Sequence, residues 1–179
     1  MNQLARQIFD ESIKIFFIEE RENILSDVAE RNLCGRLSIY LTNALSNHGV
    51  KGYFADPEYN RKQGGKVKTV LLGREKIVTI QADLIVHTRG RIVDGDNFIA
   101  IEMKKSTRPE EEKISDKERL IAMTMKSYDG VWSSGDGTQP DHVCNYKLGV
   151  FINIDIKAKR YELEYYELGK QVNIEIGKF

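Results

Sequence analysis

The sequence predicts a mixed α/β fold in one domain, with a mixed central β-sheet flanked by α-helices. Three observations predict it: apolar residues recur at helical spacing near the N-terminus, β-branched runs dominate the middle and last third, and another helical stretch lies between them. The 179 residues are enough to bury a core. Because no internal repeat or linker divides the chain, we predict that residues 1–179 form a single domain.

Two helical segments open the predicted fold. The first covers roughly residues 2–20, where four apolar residues recur at helix-like spacing: Leu4, Ile8, Ile15 and Ile18. The second is expected to begin after Ser26, a suitable N-cap, and to end near Leu45. Its apolar residues form one stripe that faces the core: Leu33, Cys34, Leu37, Leu41 and Ala44.

Strands are predicted from runs of β-branched and apolar residues. In the middle of the chain these runs are residues 67–72, 77–87 and 97–103. A hairpin-like break separates the first two runs at 73–75, and a polar loop at 89–96 leads into the third.

The remaining part of the chain predicts a helix, a loop and two strands. Ser115 and Glu118 form a capping-box pattern, which predicts a helix from this point to about residue 127. The stretch 130–141 is rich in Gly, Ser and Asp and is predicted to be a mobile loop. Two more strands are expected at 146–154 and 160–168.

Composition limits the classes of function. The chain carries 27 basic and 27 acidic residues, which argues against a strongly basic nucleic-acid-binding protein. The charges are unevenly distributed, however, because residues 31–80 hold nine basic and three acidic side chains. That excess suits a phosphate-facing surface and a solvated face of mixed charge equally well. No apolar run reaches the roughly 20 residues of a membrane span. Two cysteines without metal-binding spacing indicate a reducing cytoplasm.

The strongest chemical signal is a pair of apolar runs that are interrupted by charged residues. Asp83 lies in ADLIVH, and Glu102 and Lys104 lie in FIAIEMKKS. Side chains alternate along a strand, so Glu102 and Lys104 share one face. If the two runs pair as a hairpin, Asp83 lies beside Glu102, and two carboxylates in contact need a cation between them. A hard divalent ion meets that need, with Lys104 beside it to act on a water molecule or a phosphate.

Each of these residues also has a plainer interpretation. An isolated acid-x-Lys pattern is usually a salt bridge, here between Glu102 and Lys104. The Asp in the preceding strand and an upstream acid, Glu30, favour a metal site instead. Glu30 falls on the axis of the apolar stripe, where a lone carboxylate is costly unless it meets a cation. Its alternative is a place in the first helical turn, where it faces solvent and favours the helix dipole.

The order of Glu30, Asp83, Glu102 and Lys104 resembles the PD-(D/E)xK nuclease superfamily, also called restriction-endonuclease-like. Its pattern is a helical Glu, a strand Asp, a Glu-x-Lys on the next strand and a helix behind it. The segment EYNR at 58–61 is similar to one in small bacterial members, and the resemblance spans residues 26–152. The sequence departs from the pattern at Ala82, where the family has a proline that serves strand geometry.

The resemblance implies a restriction-endonuclease-like core and a nuclease that depends on Mg²⁺ (or Mn²⁺). In that interpretation Asp83, Glu102 and Glu30 bind the metal and act in catalysis together with Lys104. Four further residues are candidates for contacts with nucleic acid: Glu58, Arg61, Lys117 and Arg119. An ordinary loop or a solvated helix face explains these four equally well or slightly better.

Two functions remain open from the sequence. The first is hydrolysis of phosphodiester bonds in nucleic acid, with DNA as the expected partner. The second is an inactive nuclease-like module that binds nucleic acid or a protein without cutting. The intact Asp83, Glu102 and Lys104 favour the first, and the zero net charge favours the second or a nuclease that relies on a partner subunit. No membrane partner is expected, and homodimer formation is left open.

Overall fold

The structure is a computed structural model, and it describes residues 2–57, 69–72, 76–79, 82–92, 95–126 and 144–179. The elements in these ranges are, in chain order, α1 (Asn2–Glu19), α2 (Arg21–Leu25), α3 (Glu30–Asn47), β1 (Phe54–Pro57), β2 (Thr69–Leu72), β3 (Lys76–Thr79), β4 (Leu84–His87), β5 (Asn97–Lys105), α4 (Glu110–Thr124), β6 (Leu148–Asp155), β7 (Arg160–Glu167) and β8 (Lys170–Lys178). They form a mixed α/β fold, as the sequence predicts. No helix within the described ranges is long and apolar enough to cross a membrane.

The centre of the fold is a six-stranded mixed sheet in the order β1-β4-β5-β6-β7-β8. β5 and β6 run parallel, and the other neighbouring strands of this sheet run antiparallel. β2 and β3 pair with each other in a separate hairpin. β5 therefore lies in the sheet interior, and its residues from Asn97 to Met103 are buried.

The alternation of side chains along β5 divides the core between the two faces of the sheet. Ile99, Ile101 and Met103 pack into the larger core, to which α1, α2 and α3 contribute their apolar residues. Ala100 points to the opposite face and packs in a second core with Leu120 of α4. Helices therefore cover the sheet on both sides, which is why a central strand such as β5 is apolar at nearly every position.

α4 approaches the sheet closely at Gly149 of β6. A Cβ atom at this position would lie 3.0 Å from Cγ2 of Thr124 and 3.2 Å from Cβ of Tyr166, closer than ordinary van der Waals contact. Because Gly149 has no side chain, α4 can pack close to β5 and β6, and the polar side chains of α4 can reach the sheet.

The second long helix does not begin where the sequence predicted. It begins at Glu30, not after Ser26, and the short helix α2 precedes it and ends at Leu25. Between the two helices Asp27 has a left-handed backbone conformation, with φ of 58°. A residue in that conformation cannot continue a right-handed helix, so the chain turns before α3 starts.

The start predicted for the third long helix is also wrong. α4 begins at Glu110, directly after Pro109, and the capping-box residues Ser115 and Glu118 lie inside it. Three acidic residues in the first turn interact favourably with the helix dipole, which stabilises the earlier start.

The strands differ from the prediction in three places. The run 77–87 belongs to two strands, β3 and β4, which lie in different sheets. The short strand β1 and the edge strand β8 were not predicted. On β8 three apolar side chains are more than half exposed: Val172, Ile174 and Ile176. The loop predicted at 130–141 lies outside the described residues.

The turn between α1 and α2 is held by Glu20, whose side chain is almost fully buried. Three side chains donate hydrogen bonds to its carboxylate: Asn23 at 2.6 Å, Arg36 at 2.8 Å and Tyr40 at 2.6 Å. Burial alone would raise the pKa of Glu20, but these three donors outweigh it and hold the pKa below its ordinary value of 4.5. Because two of the donors belong to α3, Glu20 fixes α3 against the preceding helices.

Replacing Glu20 with glutamine is expected to lower the free energy of unfolding by about 1–3 kcal/mol near neutral pH, because buried donors lose a charged acceptor. The lowered pKa means that this stabilisation is present above the ordinary value of 4.5 and is lost as pH falls through the lower folded-state value. Urea denaturation of the wild type and Glu20→Gln at neutral and at acid pH measures both effects. Glu22→Gln, at an exposed neighbouring site, is the control. A difference between the wild type and Glu20→Gln that does not shrink in acid would contradict this role.

Candidate metal centre

The pairing of β4 with β5 brings Asp83 and Glu102 together. Leu84 lies opposite Ile101 in the antiparallel register, so the residue before Leu84 lies opposite the residue after Ile101. The backbone amide of Asp83 is 3.4 Å from Oε2 of Glu102, and Oδ2 of Asp83 accepts a hydrogen bond from the amide of Met103 at 2.9 Å. The hairpin arrangement expected from the sequence is therefore present.

A third carboxylate, Asp116 of α4, completes the group. One carboxylate oxygen from each of Asp83, Glu102 and Asp116 lies within 4.8 Å of the other two. The Glu102 side chain is fully buried, and Asp116 is 7% exposed. Asp83 is 29% exposed, so the group opens to solvent on the side of Asp83.

Two basic side chains lie among these carboxylates. Lys104 shares the face of Glu102, as strand alternation predicted, and its Nζ lies 3.3 Å from Oδ2 of Asp83 and 2.8 Å from Oδ2 of Asp116. Nη1 of Arg119 lies 2.6 Å from Oε1 of Glu102 and 3.0 Å from Oδ1 of Asp116. We call these five residues the acidic centre.

The surroundings of the acidic centre shift the pKa of its groups in both directions. Burial, followed by the negative charge of Asp83, raises the pKa of Glu102 well above its ordinary value, and Arg119 offsets part of the rise. Burial alone would lower the pKa of Lys104, but the carboxylates of Asp83 and Asp116 outweigh it and raise that pKa. Lys104 is therefore an ammonium ion at neutral pH.

Cys34 of α3 lies close enough to the acidic centre for the charges there to shift the pKa of its thiol. Burial raises the pKa of its thiol well above the ordinary value, and the negative charges of Asp83 and Glu102 raise it further. Metal binding and nucleophilic attack both need a thiolate. Cys34 is therefore a buried thiol in the core, and neither role suits it.

The structure does not bring Glu30 into the group of three carboxylates. Its Oε1 accepts a hydrogen bond from the amide of Lys105 at 2.8 Å, and its Oε2 lies 3.8 Å from Nε of Arg108. The partly exposed side chain of Glu30 therefore reaches from α3 to the end of β5, where it contacts Lys105, the residue after Lys104. Asp116 occupies the third-carboxylate position that the sequence analysis gave to Glu30.

The residues predicted to contact nucleic acid have different positions. Lys117 forms an ion pair with Glu164 of β7 at 2.5 Å, and Arg119 is held in the acidic centre. Neither of these two cations is therefore a free side chain on a solvated helix face. Glu58 and Arg61 lie outside the described residues, as does the remainder of the segment EYNR.

Comparison of the chain with family models, curated proteins and solved structures finds no match.

The sequence did not lead to Asp116 or to the role of Arg119. A signal for Asp116 was nevertheless present, because Lys113, Asp116, Leu120 and Met123 recur at helical spacing and form the buried stripe of α4. With Ser115 placed at the N-cap, that stripe was cut short, and Asp116 was only an intervening residue of the capping-box pattern.

The donor set fits a hard divalent cation. The three acidic side chains provide only oxygen ligands, which Mg²⁺ and Mn²⁺ prefer, and they converge within the distance that one ion can bridge. Among the described residues, none donates a hydrogen bond to Oδ1 of Asp83, and Oε2 of Glu102 receives only the long contact from the amide of Asp83. These two oxygens are therefore available to a cation.

Proposed function

We propose that this protein is a metal-dependent phosphodiesterase of the PD-(D/E)xK type, which hydrolyses nucleic acid, with DNA as its substrate. The observation that carries the proposal is the position of Lys104. Its ammonium group lies beside the Asp83–Glu102 pair, two residues beyond Glu102 on the same face of β5. A carboxylate pair with oxygens available to a metal and an adjacent fixed cation is the arrangement that stabilises negative charge on a phosphate during hydrolysis.

The order of the elements supports the same proposal. Asp83 precedes a strand that pairs with the strand of Glu102 and Lys104, a helix follows, and the next strand of the sheet runs parallel to β5. α3, which carries Glu30, packs on the face of the sheet opposite to α4. This order supports the proposal, because the resemblance in the sequence implies a helical Glu, a strand Asp, a Glu-x-Lys on the next strand and a helix behind it.

The residues of the acidic centre divide the chemistry between them. Asp83 and Glu102 would hold a Mg²⁺ or Mn²⁺ ion, which activates water and polarises the phosphate when bound. Lys104 stabilises the charge that develops on the phosphate, because its raised pKa keeps it protonated and unfit to accept a proton. Asp116 holds the ammonium group of Lys104 in place at 2.8 Å.

A second candidate is a module that binds nucleic acid or protein without cutting. One observation favours it: Lys104 and Arg119 already form ion pairs with all three carboxylates, so the acidic centre can persist without a metal ion. In that case the five residues form an ion-pair network in which Lys104 and Arg119 already compensate the carboxylates, and no divalent ion is needed.

Incubation with DNA in Mn²⁺ tests the proposed activity. The wild type is expected to cleave at least one of single-stranded, duplex and branched DNA, and a chelator is expected to stop the reaction. Lys104→Ala is expected to lose most of this activity, and Lys157→Ala, at an exposed lysine in the β6–β7 turn, is the matched control. A parallel set of RNA substrates separates the two nucleic acids. Retention of these substrates on the protein without any cleavage would favour the binding module.

A further inference from the structure

The three carboxylates of the acidic centre form three pairs, and a basic side chain bridges two of these pairs. Nζ of Lys104 contacts one oxygen of Asp83 and one of Asp116. Nη1 of Arg119 contacts one oxygen of Glu102 and one of Asp116. Asp116 therefore has one oxygen on each cation, and its position on α4 fixes both of them.

The third pair, Asp83 and Glu102, has no such bridge among the described basic residues. Its available oxygens are Oε2 of the buried Glu102 and Oδ1 of Asp83, which is the most exposed of the three carboxylates. A divalent ion can enter here without displacing Lys104 or Arg119.

Charge balance also distinguishes one ion from two. When all three carboxylates are ionised, they carry three negative charges against the two positive charges of Lys104 and Arg119. One divalent ion changes the sum from one net negative to one net positive charge. A second ion would leave three net positive charges in a largely buried space, where unbalanced charge is costly. In two-metal sites the ions lie about 3.5–4 Å apart and share carboxylates, and Arg119 already occupies the space between Glu102 and Asp116.

We infer that the centre binds a single divalent ion, between Asp83 and Glu102, and that the guanidinium of Arg119 takes the place of a second ion. This inference rests on the proposed metal-dependent function and adds its stoichiometry. Arg119 and Asp116 are positioning residues: Arg119 holds Glu102, Asp116 holds both cations, and neither binds the ion.

Calorimetric titration of the full chain with Mn²⁺ tests this inference without an activity assay. The wild type is expected to bind one ion per chain. Arg119→Met, which removes the guanidinium and its charge but keeps an unbranched apolar stem, is expected to bind two, because the space between Glu102 and Asp116 becomes available. Arg21→Met, at a partly exposed arginine on α2, is expected to bind one. Two ions in the wild type, or one ion with unchanged affinity in Arg119→Met, would overturn the inference.

A second set of variants answers the question even if Arg119→Met does not fold. Asp116→Asn is expected to bind one ion with affinity reduced by about 10- to 100-fold, the usual effect of losing an outer contact. Asp83→Asn is expected to bind none at the same concentrations. Equal loss of binding in the two variants would make Asp116 a ligand and the inference wrong.

The outcomes also separate this inference from the proposed function. A wild type that binds no ion contradicts both. A wild type that binds two ions and cleaves DNA contradicts only the stoichiometry, and one that binds a single ion without cleaving contradicts only the nuclease activity.

Discussion

Lys104→Met is expected to slow metal-dependent DNA cleavage by about 10²- to 10³-fold, the usual effect of removing one group that stabilises a developing charge. Ion binding is expected to survive this change, because Lys104 contacts Asp83 and Asp116 and leaves the available oxygens of Asp83 and Glu102 untouched. Glu102→Gln is expected to lose both cleavage and ion binding, since it removes a ligand. Single-turnover cleavage and calorimetric titration with Mn²⁺ measure the two properties separately.

Lys104→Met and Glu102→Gln are expected to differ in ion binding, because Lys104 contacts carboxylates whereas Glu102 is itself a proposed ligand of the ion. Lys157→Met controls for the loss of a lysine, and Lys104→Arg tests whether a different cation can replace the ammonium group. The metal-free Lys104→Met protein is expected to be less stable than the wild type, because Asp116 is buried and loses one of its two cations. Full cleavage activity in Lys104→Met would show that this lysine is only part of a salt-bridge network.

Strand periodicity predicted the part of the acidic centre that lies on β5. Side chains alternate with a period of two, so the shared face of Glu102 and Lys104 followed from their spacing alone. The neighbouring position of Asp83 followed from the polar loop that separates two apolar runs, which favours antiparallel pairing. These are local relationships, and a single sequence contains them.

The helical residues of the centre could not be predicted in the same way. Helical periodicity gives the direction of a side chain about the helix axis, but it does not say which point of the sheet that side chain reaches. Glu30 does lie on the stripe that begins with Leu33, yet as the first residue of α3 it reaches the amide of Lys105 at the end of β5. Asp116 reaches the centre from the second turn of α4, whose N-cap is Pro109, six residues before the Ser115 cap of the capping-box pattern.

The pKa of Glu102 links the stability of the protein to pH and to metal. Burial and the negative charge of Asp83 raise this pKa, so the folded protein binds a proton at Glu102 more tightly than the unfolded chain does. The resulting stabilisation is complete below the ordinary value of 4.5 and is lost as pH rises through the raised folded-state value. A divalent ion needs the ionised carboxylate, so it competes with the proton and binds best where that stabilisation has gone.

Stabilisation by Mg²⁺ or Mn²⁺ is therefore expected to be small near pH 5 and larger near pH 8. At a concentration about 100 times the dissociation constant, an ion adds about 2.7 kcal/mol, which raises the melting temperature of a chain of this size by about 5–10 °C. Glu102→Gln is expected to remove the metal response at both pH values, whereas Glu22→Gln, at an exposed site on α2, is expected to keep it. Thermal unfolding of the three proteins with and without metal at the two pH values provides the measurement. A response that is equal at both pH values, or that persists in Glu102→Gln, would place the ion outside the acidic centre.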